Sequence, residues 1–185
     1  YIHYRKGSLV MYALKDALGE ESVNRVLRDF IEEWGNKGAP YPTTRHLIAR
    51  FRENAAPEYQ TLITDLFEKI VIFDLRAEEG FYSELSDGRF EVTINTNASK
   101  FEADGAGEET PVAIDILIDV AVLGEEDEAG VPELLHLEKL RINQQEQSFT
   151  FVVDKLPLSV GIDPFNKMID RNPDDNIKTV ELAGN

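Results

Sequence analysis

The feature that most limits the fold of this chain is a change in the spacing of its apolar residues near residue 70. Up to Lys69 they recur every three or four positions, the period of a helix face; beyond it they recur every second position, the period of a half-buried strand. Leu9, Val10, Ala13, Leu14, Ala17 and Leu18 predict a first helix over residues 8–18, with Gly19 placed where a helix end favours positive φ. Glu20 and Glu21 suit the start of a second helix, whose stripe runs from Val23 through Val26, Leu27, Phe30 and Ile31 to Trp34 and stops at Gly35. Pro40 and Pro42 keep the next segment extended, so Thr43 or Thr44 caps a third helix carrying Leu47, Ile48 and Phe51. Pro57 opens a fourth, with Tyr59, Leu62, Ile63, Leu66 and Phe67 on one face, ending near Lys69.

Ile70-Val71-Ile72-Phe73 opens the strand region, and Phe90, Val92 and Ile94 alternate with polar residues beyond the hairpin signal Asp87-Gly88. Ile114, Ile116, Ile118, Val120 and Val122 form a longer alternating run, broken at Gly124. Leu135 to Ile142 and Phe149 to Val153 flank a polar stretch at 143–147, which predicts a second hairpin, with a bulge absorbing the slip between Leu137 and Leu140. Leu158 to Ile162 and Ile177 to Leu182 bring the count to seven or eight strands. The expected fold is therefore α+β in two parts: an antiparallel helical subdomain over residues 1–69, then an antiparallel immunoglobulin-like β-sandwich over 70–185.

Charge divides at the same place. The net charge is −16, yet residues 1–69 hold equal numbers of acidic and basic side chains, so the whole excess lies in residues 70–185. Such a balance excludes a nucleic-acid groove, which needs a basic face to displace counterions from phosphate. The absence of cysteine removes disulfides, thiolate metal sites and cysteine nucleophiles together. No apolar run approaches the ~18 residues of a membrane span.

The three histidines, His3, His46 and His136, do not show the i, i+4 spacing that offers one zinc two imidazoles from a helix, so each reads as structural or solvated. Serine-nucleophile and phosphate-loop signatures are missing. Two acidic clusters, Glu125 to Glu128 and Asp170 to Asn176, lack the ligand pattern of a calcium loop and read as solvated turns. Tyr12, Phe30 and Trp34, at helical spacing, read as core. By composition and spacing this chain holds no complete active site and no cofactor.

The stretch His3-Tyr4-Arg5-Lys6-Gly7-Ser8-Leu9-Val10-Met11-Tyr12-Ala13-Leu14, followed by the helix break Leu18-Gly19-Glu20-Glu21, resembles the Tyr-x-Lys-Gly segment of the gluzincin aminopeptidases, the zinc family that includes aminopeptidase N. The resemblance implies that Tyr4 is the catalytic tyrosine whose hydroxyl faces the scissile carbonyl oxygen. It also implies that residues 1–69 are the helical C-terminal part of a peptidase catalytic domain and residues 70–185 an acidic Ig-like accessory domain. The first helix, with Gly161-Ile162-Asp163-Pro164 and Asp170-Arg171-Asn172, is most similar to a bacterial branch in which the peptidase is fused to ABC-permease-like membrane segments, which implies an inner-membrane-associated parent.

The zinc motif HExxH, its downstream glutamate and the glutamates that bind the substrate amine do not occur here. The expectation is thus a C-terminal fragment, inactive alone. Its partners would be the zinc-bearing remainder of the parent and, there, a peptide substrate. An opening at Tyr1-Ile2 without Met points the same way. Arg5 and Lys6 read as an exposed pair at a helix start. The alternative is a non-catalytic interaction module of a membrane transporter-associated protein.

Overall fold

The computed structural model describes residues 6–184 and divides between Val71 and Ile72 into a helical unit and a β unit. The first contains α1 (Gly7–Leu18), α2 (Glu20–Trp34), α3 (Thr44–Asn54) and α4 (Gln60–Phe67), the last entered through a single 3-10 turn, Pro57–Tyr59. Gly19 serves two helices at once. Its N–H closes α1 on the Lys15 carbonyl at 2.9 Å while its own carbonyl accepts from Val23 at 3.1 Å, and φ of +81° allows the reversal between them.

One core joins the four helices: Val10, Ala13 and Leu14 of α1, Val23 and Val26 of α2, Ile48 and Phe51 of α3, Ile63 and Leu66 of α4. Tyr12 departs from expectation, since it lies off the Val10–Ala13–Leu14 face and is 44% exposed. Phe30 and Trp34 are only half-buried. Arg52 ties α3 to α4, donating to the Gln60 carbonyl, to Thr64 Oγ1 and to Glu68.

The β unit has nine strands among the described residues: β1 (Ile70–Glu84), β2 (Phe90–Ala103), β3 (Glu109–Val112), β4 (Ile116–Glu126), β5 (Pro132–Ile142), β6 (Glu146–Val153), β7 (Ser159–Ile162), β8 (Ile177–Thr179) and β9 (Glu181–Leu182). One sheet has the order β3-β2-β1-β9, with β6 also on β2; the other has the order β5-β4-β7-β8. β6 takes residues 90–97 of β2 and β3 takes 100–103, so the two share one edge of the same long strand.

Their inward faces meet in a core of Ala77, Val92, Ile94, Val120, Val122, Phe151, Val153 and Val160, closed by Val180. The architecture is α+β, helices followed by a two-sheet sandwich. At Gly80 the sheets approach so closely that a Cβ there would stand 2.6 Å from Val160 Cγ2 and 2.9 Å from Val180 Cγ1.

Three local expectations need correction. β9 pairs with β1 in parallel, at Phe81–Glu181 and Tyr82–Leu182, because the chain crosses from β8 in one sheet to β9 in the other through Val180, so the first sheet is mixed. The stretch 143–147 is not a hairpin. β5 pairs with β4 and β6 with β2, so the connection passes between the sheets, held by Gln147 Oε1, which accepts the N–H groups of Asn143 and Gln144. The bulge in β5 falls at Leu135 rather than between Leu137 and Leu140: Val122 faces His136 while Leu123 faces Leu134. The extra residue puts Leu135 over Gly124, whose missing side chain leaves room for it, and β4 runs on through Gly124 to Glu126. The Asp87-Gly88 turn forms as the sequence predicts, with Gly88 at φ +82°.

Candidate functional site

Tyr4, with His3 and Arg5, lies outside the described residues. What is described begins at Lys6, and its role is anchoring. Lys6 Nζ donates to the Lys69 carbonyl at 3.0 Å, so the start of α1 is tied to the end of the helical unit across 63 residues of sequence. Burial pulls the Lys6 ammonium below its usual range. Val10, Ala13 and Leu14 then lock the next turns of α1 into the core. From Lys6 onward the first helix is thereby held at a side-chain anchor and along a buried face.

Both described histidines have structural partners. His46 stands at the third position of α3, where its Nδ1 accepts the Thr43 N–H at 3.0 Å while the Thr43 side chain caps the helix in return. Its ring packs edge-on to Trp34 at 5.0 Å. His136 lies against the Phe151 ring at 4.4 Å, with Nε2 3.3 Å from Glu138 Oε2. No group of three or more histidine, aspartate or glutamate side chains able to hold a metal occurs among the described residues.

The two acidic clusters differ from each other. Asp127 is spent on its turn, its Oδ1 accepting the N–H groups of Ala129 and Val131, and the glutamates around it are exposed. The segment 170–176 is solvated in its middle, where residues 171–174 are exposed, but not at its ends. Asn176 is fully buried, and Asp170 Oδ1 accepts the Leu75 N–H at 3.3 Å where residues 169–171 run alongside β1. Asp170 Oδ2 and both amide atoms of Asn176 are buried without a hydrogen bond of normal length, although the Asn176 amide acts on the Asp170 carboxyl. Burial raises Asp170 above the ordinary carboxylate range.

A connected group of buried charge was not read from the sequence at all. Asp119 sits mid-strand in β4, 4% exposed, on the face of its sheet away from the core. Its carboxylate accepts from Lys139 Nζ at 2.8 Å and from Lys167 Nζ, and its carbonyl accepts the Asp163 N–H. Asp163, in the left-handed region at φ +46°, turns both carboxylate oxygens onto the N–H groups of Lys167 and Met168 at 2.9 Å. Burial pushes its carboxyl up to about 6 against the pull of those two donors, with the Asp170 charge adding to the rise. The arrangement holds residues 163–168 to the outer face of the sheet.

Comparison with protein-family models finds none that matches this chain, and comparison with curated proteins finds no match.

Proposed function

We propose that this chain is the C-terminal region of a zinc-dependent aminopeptidase-like protein, supplying an oxyanion-stabilising tyrosine and a β-sandwich accessory unit, and inactive by itself. The observation that carries the reading is the segment Tyr4-Arg5-Lys6-Gly7 leading directly into an amphipathic helix with a glycine break at Gly19. The order of helical unit and sandwich supports it, as does the Lys6 anchor at the start of the first helix.

In this reading the Tyr4 hydroxyl donates a hydrogen bond to the scissile carbonyl oxygen as negative charge develops there, which contributes about 3 kcal/mol, or roughly a hundredfold in rate. The described residues do not suit a zinc ion: His46 and His136 are engaged on different units and have no carboxylate cluster around them. In this reading the zinc ligands and general base belong to the remainder of the protein, and no metal-dependent step is assigned to these residues.

The substrate class is a peptide with a free amino terminus, and the parent is expected at a bacterial inner membrane. Zinc content and aminoacyl-arylamide turnover of a chain extended upstream by about two hundred residues, enough for a HExxH helix and its glutamate, test this. About one zinc per chain with turnover, and a kcat lowered about a hundredfold by Tyr4→Phe at unchanged metal content, is the expected result. A folded extended chain with neither zinc nor turnover would overturn it in favour of a non-catalytic interaction module of a transporter-associated protein. Unaltered turnover in Tyr4→Phe would remove Tyr4 from the chemistry.

A further inference from the structure

The outward face of the second sheet carries large aliphatic side chains where a solvated face would carry polar ones. Residues paired directly across strands share a face, so the rows Leu134–Leu123–Ser159–Thr179 and Leu137–Ala121–Gly161–Ile177 lie on one surface. Val122 and Val160, which alternate with them, point into the core. At the ends of these rows Leu134, Leu137 and Ile177 are 46%, 40% and 44% exposed. A groove follows the first row, lined by Leu123, Ser159 and Thr179, with Leu156 and Leu158 of the β6–β7 connection forming an exposed apolar wall. Glu125 and Glu126 border the same groove, and the exposed Asp127 and Glu128 continue the acidic rim into the turn beyond.

We propose that this groove docks a segment of another polypeptide that presents large aliphatic side chains flanked by lysine or arginine. The aliphatic surface supplies the gain from leaving water, and the carboxylates at the border select the sign of the neighbouring charge. A second copy of this chain is disfavoured, since each copy brings a net charge of −16 to the contact. The inference stands apart from the peptidase reading, because every residue in it belongs to the β unit.

The test uses the whole chain and a fluorescein-labelled amphipathic leucine/lysine peptide, followed by anisotropy at physiological salt, with a leucine/glutamate peptide as control. Leu158→Asp and Ile177→Asp are exposed positions, and circular dichroism checks that each variant keeps its fold. Both substitutions add negative charge, so attraction by charge alone would leave binding of the lysine peptide unchanged or tighten it. Docking in the groove predicts instead at least about a tenfold loss of affinity in each variant, the cost of removing an anchor from an apolar contact, with no binding of the glutamate peptide. Unchanged or tighter binding in the variants overturns the proposal, as does failure of the wild-type chain to bind below about 100 μM, the weak end of specific association. A dimer in sedimentation that these same variants abolish would assign the face to a second copy and overturn it equally.

Discussion

Removing the carboxylate of Asp119 is the sharpest test of how the β unit is held together. It is 4% exposed and receives Lys139 at 2.8 Å and Lys167 as a second donor, whose side chains are 27% and 13% exposed. Lys167 also lies 5.2 Å from the centre of the Phe165 ring, so its ammonium is held in place on two sides. Asp119→Ala takes away a buried anion that both cations share, in a setting where water solvates them poorly. Breaking a buried pair in this way costs about 3–5 kcal/mol, against 1 kcal/mol or less for an exposed pair. Trp34, the only tryptophan, lies in the helical unit, so urea unfolding should be followed by far-ultraviolet circular dichroism of the sheets. Asp119→Ala and Lys167→Met should each destabilise, and the double variant should lose less than the sum, with a coupling of about 1–3 kcal/mol. A loss below about 1 kcal/mol for Asp119→Ala, or additive behaviour in the cycle, would refute the claim that buried charge fastens residues 163–168 to the sheet.

Two further perturbations probe the same unit. The carboxyl of Asp163 is held at about 6 when folded, above its ordinary 3.8, so the folded protein binds that proton more readily than the unfolded chain. Its contribution is therefore fully present below about pH 4 and lost as pH rises through about 6, an effect of up to about 3 kcal/mol. The stability of Asp163→Asn relative to wild type should rise by up to that amount between pH 4 and pH 7 in urea titrations, and a difference constant with pH would contradict the assignment. Gly80→Ala should cost about 1–3 kcal/mol by overpacking against Val160 and Val180. Combining it with Val160→Ala should recover part of that loss, and a neutral Gly80→Ala would show that the sheets can move apart there.

What the sequence disclosed and what it withheld follow from the range of the interactions involved. The change of period at residue 70, the Asp87-Gly88 turn and the helix starts at Glu20 and Thr43 are set by neighbours within a few residues, and the structure shows each of them. The polar stretch at 143–147 looks the same whether it turns a strand back on its neighbour or carries it to the opposite sheet, because both need two apolar runs around a polar loop. Only the partners of β5 and β6 decide, and β6 finds its own in residues 90–97 of β2, far outside the reach of the local pattern. Asp119 was invisible for a related reason. Within Ile116-Leu117-Ile118-Asp119-Val120 an acid reads as the solvent side of an alternating strand, whereas Lys139 and Lys167, which permit its burial, lie 20 and 48 residues further on. For the candidate site the sequence offers only the segment containing Tyr4, which the structure describes from Lys6 onward. What the structure adds there is the Lys6 tether to Lys69, a contact that a reading of adjacent residues as an exposed pair missed.

The acidic excess of the β unit also divides by residue type, and the division bears on what the surface can recruit. Aspartate, with one methylene, reaches its own backbone: Asp87, Asp104, Asp127, Asp163 and Asp170 each accept at least one backbone N–H within the next few residues. Asp104 and Asp127 do so identically, each Oδ1 taking the N–H groups two and four residues on, in the related turns Asp104-Gly-Ala-Gly-Glu108 and Asp127-Glu-Ala-Gly-Val131. Those charges are committed to turns, and donors such as the Glu108 and Ala106 N–H groups hold the Asp104 carboxyl below its usual range. Glutamate is too long for such a turn and is left on the surface, as at Glu125, Glu126 and Glu128. Beside the groove of the second sheet these longer carboxylates stand next to exposed leucine and isoleucine. A partner attracted by charge alone has no reason to prefer that end of the unit; one that combines aliphatic and basic side chains does.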